Sequence, residues 1–122
     1  MDAFPVRSSE PERATGRQVV VVEGAGAADP TLLVGAGVTV TRLSAVGKLR
    51  VTWNDSPGKT LVGFKWGLQA TTPSDVAGYT AVVGDYDASG PSIDVWVYNA
   101  ASPVALDDLE SGWKLHLEFA FV

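Results

Sequence analysis

The chain has 122 residues, 46% of them apolar, with 13 glycines, 7 prolines and no cysteine. That composition argues against a disordered chain or a helical bundle, and it excludes a disulfide framework, a thiolate metal site and a cysteine nucleophile. The net charge of −5 gives no overall electrostatic reason to bind nucleic acid, and no apolar run approaches the length of a membrane span.

Taken in chain order, residues 1–17 read as an extended N-terminal arm, polar and without period, carrying Pro5 and Pro11. It has no apolar stretch of the kind a secretory signal needs. A frayed terminus and an arm that orders on a neighbouring subunit are both open. Residues 18–122 read as one β domain. Residues 18–23 (Gln-Val-Val-Val-Val-Glu) form a short apolar run, as for a strand covered on both faces. Gly24 to Pro30 reads as a loop of small residues, and Leu32 to Val34 as a short strand. Residues 38–43 and 48–54 alternate apolar and polar residues around Ala45-Val46-Gly47, as in a hairpin with one solvated face. Asp55-Ser56-Pro57-Gly58 is a turn, with proline setting φ.

Residues 61–70 alternate again, with Val62, Phe64, Trp66 and Leu68 on one face. Further strands are expected over 79–86 and 92–99, with a loop at Asp87 to Pro91. On the second of these, Ile93, Val95 and Val97 oppose Asp94, Trp96 and Tyr98, so both faces are bulky. Pro103 to Ser111 is the only helical candidate, with Ser102 as cap and Gly112 as stop. From Trp113 to Val122 the alternation is cleanest, with Leu115, Leu117, Phe119 and Phe121 on one face. The expected fold is therefore all-β: an antiparallel β-sandwich or jelly roll of about seven to eight strands.

The apparent chemical motifs each fail at a definite position. Gly58-Lys59-Thr60 resembles the end of a P-loop, but Trp53 stands where the first glycine belongs. Gly24-Ala25-Gly26 lacks the third glycine of a dinucleotide fingerprint, because Asp29 occupies that place. Asp85, Asp87, Ser89 and Gly90 match half of a calcium loop, and Trp96 replaces its closing acid. A looser cation site completed by Asp75 or Asp94 remains open, beside the plainer reading of a solvated loop. His116 is the sole histidine and sits between Lys114 and Glu118 on a polar face. Asp107, Asp108 and Glu110 fall where a helix would begin, where negative charge is favourable in any case. Trp53 and Trp66 share faces with aliphatic residues and are expected in the core. Neither an enzyme activity nor a cofactor or metal is expected.

Residues 37–53 (Gly-Val-Thr-Val-Thr-Arg-Leu-Ser-Ala-Val-Gly-Lys-Leu-Arg-Val-Thr-Trp) resemble a hairpin pattern in small virion proteins of tailed bacteriophages. A strand like Ile93 to Tyr98, an Ala/Asp-rich connection like Ala100 to Glu110, and a closing strand like Leu115 to Val122 follow in the same order. The resemblance spans roughly residues 37–122 and leaves out the arm and first strand. It implies a capsid decoration (cement) protein: a homotrimer bound to the major capsid protein lattice on the virion surface and assembled in the host cytoplasm. It supplies no catalytic residues. The docking residues expected from it are Phe4, Val6, Arg7 and Arg13 on the arm, with Trp96 and Tyr98 as a second contact surface. The alternative is a carbohydrate- or receptor-binding module of a tail fibre or spike, using Trp96 and Tyr98 as an aromatic platform.

Overall fold

The computed structural model describes residues 16–43, 48–72, 74, 77–99 and 110–122. These form eight antiparallel strands: β1 (Gly16–Ala25), β2 (Ala28–Val34), β3 (Val38–Leu43), β4 (Lys48–Trp53), β5 (Leu61–Gln69), β6 (Tyr79–Val83), β7 (Ser92–Asn99) and β8 (Lys114–Phe121). They make two four-stranded sheets, ordered β2-β1-β8-β5 and β3-β4-β7-β6. No α-helix occurs among the described residues. Most of the expected helix at 103–111 lies outside them. What is described there is a tight turn, in which the Trp113 N–H donates to the Glu110 carbonyl at 3.0 Å.

Strand β8 organises the first sheet. Its side chains alternate strictly, and Leu115, Leu117, Phe119 and Phe121 are all at most 1% exposed. Eight consecutive residue pairs join β8 to β1, from Gly16↔Phe121 to Glu23↔Lys114. β5 flanks β8 on its other side. The second sheet presents Leu49, Val51 and Trp53 of β4 with Ile93, Val95 and Val97 of β7, and all join the same buried cluster. Trp53 is the joint between the sheets. Its ring meets Phe119 and Phe121 edge-on, with centroids 5.4 and 5.3 Å away. Its indole N–H is buried and has no hydrogen-bond partner among the described residues. Such an orphan costs about 1–3 kcal/mol, and it is set against the large area the ring buries.

Five sequence expectations are corrected. Gly24 to Pro30 is not a loop: only Gly26 and Ala27 turn the chain, with Gly26 at φ 62°, and β2 begins at Ala28. β1 begins at Gly16, so Gly16 and Arg17 are strand residues. Val62 does not share a face with Phe64. Leu61 pairs with Phe121 but Gly63 with Ala120, so Val62 is the extra residue of a bulge and stands 55% exposed. A bulge shifts the alternation by one and puts Leu61, Phe64 and Leu68 on the core. Trp66, expected in the core, pairs with Leu117 on an edge strand and stays 38% exposed, because no strand flanks it on the far side among the described residues. The strand expected over 79–86 stops at Val83, and a single bridge at Asp87↔Ser92 continues the pairing.

The turn before β5 is held against the end of the chain. The Lys59 and Thr60 amides donate to the Val122 carbonyl at 2.8 and 3.2 Å, and Val122 N–H donates to Thr60. A Cβ on Gly58 would lie 2.6 Å from the Phe121 Cβ and 2.9 Å from the Val122 carbonyl, so only glycine fits that approach. In urea unfolding, Phe119→Ala is expected to lower stability by about 3–5 kcal/mol and Gly58→Ala by about 1–3 kcal/mol. Val62→Ala, at the exposed bulge, should change it by less than about 0.5 kcal/mol.

Candidate functional surfaces

The inward residues of β7 are covered by the first sheet, which leaves Asp94, Trp96 and Tyr98 on the outer surface. Cross-strand pairing places Arg50 beside Asp94, and Val82 beside Trp96. Asp94 is the hub of this face. Its carboxylate accepts from Lys48 Nζ at 2.6 Å and from Arg50 Nε and Nη2 at 2.8 and 3.2 Å. The hydrogen bond from Arg50 holds the Asp94 carboxyl below the ordinary carboxylate range; burial opposes this and the bond from Lys48 adds to it. The same bond raises Arg50.

Lys48 also lies over the Trp96 ring, 5.1 Å from its centroid. A Cβ on Gly84 would lie 3.0 Å from the edge of that ring. Trp96 and Tyr98 are each half-buried. The structure thus places these two expected contact residues on one outward face, but with an ammonium on the indole instead of an open stacking platform. The other four, Phe4, Val6, Arg7 and Arg13, lie outside the described residues.

A second surface escaped the sequence reading. Val19 of β1 and Leu32, Leu33 and Val34 of β2 are 37–49% exposed; Val34 pairs with Val21, on the face of Val19, whereas Leu32 pairs with the core residue Val22. Val21 itself is buried. β2 is the edge of its sheet and has a register shift against β1, so Leu32, Leu33 and Val34 all keep exposure. Next to this patch is a shallow depression of about 320 Å³, lined by Val19, Lys65, Gly67, His116 and Glu118. Arg17 pairs with Glu118 along its rim.

The residues of the apparent motifs have other partners in the fold. The Lys59 and Thr60 amides are used on Val122 and do not cradle a phosphate. Gly24 bonds Trp113 and Gly112 at the end of a hairpin. Asp87 Oδ1 accepts from the Ser89 amide and hydroxyl and from the Gly90 amide. Those bonds, the Ser89 hydroxyl first, lower the Asp87 pKa. The described residues contain no group of three or more histidines or acids placed to hold a metal ion. Asp75 lies outside them. His116 Nε2 lies 3.1 Å from Gln69 Oε1 on the exposed face, with no serine bonded to it among the described residues. Of the expected acidic cluster, Asp107 and Asp108 lie outside the described residues and Glu110 is exposed.

No protein-family model, curated protein or solved structure matches this chain.

The Asp94 network has a pH signature. A carboxyl depressed on folding contributes stability that is complete above its unfolded value of about 3.9 and is lost as pH falls through the folded value. Asp94→Asn is expected to lower stability at neutral pH by about 1–3 kcal/mol, since it leaves Lys48 part-buried beside a neutral amide. The difference from wild type should shrink below about pH 4 in urea titrations across that range.

Proposed function

We propose that this chain is a structural virion protein: a decoration, or cement, subunit that binds the outer surface of a bacteriophage capsid and stabilises the shell. The observation that carries the reading is the group of exposed apolar side chains along the β1–β2 edge, Val19, Leu32, Leu33 and Val34, on a domain whose polar clusters are internally paired. Apolar side chains grouped in this way on a small domain mark a contact surface. The hairpin pattern of residues 37–53 supports the virion assignment. Both four-stranded sheets and their shared core are compatible with the jelly-roll or sandwich subunits of such proteins. An N-terminal arm docking through Phe4, Val6, Arg7 and Arg13 belongs to the same proposal.

The mechanism is linkage. A protein that binds the assembled lattice and not its separated subunits stabilises the lattice in proportion to its occupancy. It needs no bond-making chemistry, only a surface that buries well. The Lys48 ammonium over Trp96 weighs against the glycan-platform alternative, because a sugar ring would have to displace it.

Quantitative mass spectrometry of particles purified from a strain encoding this chain is expected to find hundreds of copies per particle. Particles lacking the chain should release their contents at a lower temperature, and Leu33→Asp should reduce occupancy while leaving the isolated domain folded. Absence of the chain from purified particles, or heat stability unchanged without it, would contradict the proposal.

A further inference from the structure

Two open sheets have four edge strands, and an unpaired edge invites another strand. Three of the four edges here carry a blocking device. β2 contains Pro30 and two register shifts against β1. β3 has its Arg42 amide taken by the Asp29 carboxylate at 2.8 Å, and β2 lies beside it. β5 is bent at Val62 and carries Lys65 at its centre. β6 has none of these. Its sequence, Tyr79-Thr-Ala-Val-Val83, contains no charge, proline or glycine. It pairs with β7 through five consecutive positions without a shift. Among the described residues no strand lies on its outer side.

We propose that β6 is a self-association edge, at which a second copy of this chain adds its own β6 antiparallel about a twofold axis through Ala81. The strand is self-complementary in that register. Thr80 comes opposite Val82 of the second copy, Tyr79 opposite Val83, and Ala81 opposite its own counterpart. No like charges meet, a condition that β5 breaks: Lys65 at its middle would face itself in the equivalent arrangement.

The surroundings favour the same occupant. Val82 is 41% exposed, and it sits beside half-buried Trp96, with Thr80 beside Tyr98. Pairing sets the Trp96–Val82 row of each copy in line with the Thr80–Tyr98 row of the other. A closed twofold pair consumes the edge once and leaves no further β6 for growth. The trimer implied by the virion resemblance would need a head-to-tail contact and is a distinct outcome.

Sedimentation of the isolated full chain tests this without particles, so the result is independent of capsid binding. The wild type is expected to be a dimer. Thr80→Lys with Val82→Lys sets lysine against lysine twice and should raise the dissociation constant at least about tenfold. Thr80→Lys with Val82→Glu sets lysine against glutamate and should restore the dimer. Both positions are exposed, so the fold should tolerate them. Hydrogen exchange of the wild type should in addition slow at β6 as protein concentration rises, a readout that needs no variant. A wild-type monomer or trimer, a dimer indifferent to both variants, failure of the lysine–glutamate variant to restore pairing, or β6 exchange independent of concentration would overturn the proposal.

Discussion

Everything else in the molecule is placed by the inward face of β8. Leu115, Leu117, Phe119 and Phe121 form one solvent-free row, and their burial requires a second sheet opposite them. Trp53 closes the gap by meeting Phe119 and Phe121 edge-on, the geometry aromatic rings prefer. With that face fixed, strict alternation sends Lys114, His116, Glu118 and Ala120 outward, and β1 and β5 must lie beside β8 with matching parity. The outer surfaces available for contact are therefore a consequence of the core.

The alternation of β8, and of the β3–β4 pair, was legible because a face that packs on a core must be apolar at every second residue. Ladders with regular register, such as Val38↔Trp53 to Leu43↔Lys48, keep that period along their whole length. What the sequence concealed are the places where period 2 is broken. A bulge at Val62 reverses the parity of β5, so a run that alternates perfectly on paper does not lie on one face. The β1–β2 hairpin hid behind Asp29 and Pro30, which read as loop residues and are tolerated because β2 is an edge. Trp66 looked like core because its neighbours are, but an edge strand leaves its far side uncovered.

The surfaces divide along the same line. The Asp94 network was partly visible: the alternation of 48–54 puts Lys48 and Arg50 on a polar face, but Asp94 was read only as a possible completion of a cation site, and nothing in the sequence said that one carboxylate would serve both cations. The sequence left the face of Trp96 open between a covering sheet and an exposed contact patch, and in the structure Lys48 lies over the ring. The exposed apolar residues of β2 were missed because Leu32, Leu33 and Val34 lie on an edge strand with a register shift against β1, which the sequence does not reveal. A polar network that satisfies itself and an apolar patch that does not have different consequences. The first needs no partner, and the second gains free energy from one.

The central claim is that this domain acts through the β1–β2 surface and not through a pocket. Hydrogen exchange of the chain, free and bound to purified particles, tests it most directly. The account predicts that binding slows exchange of the β1–β2 amides, while the strands carrying Arg50 and Asp94 exchange as in the free protein. Unchanged exchange at β1–β2, with new protection confined to the depression beside His116 or to the Asp87 loop, would contradict it.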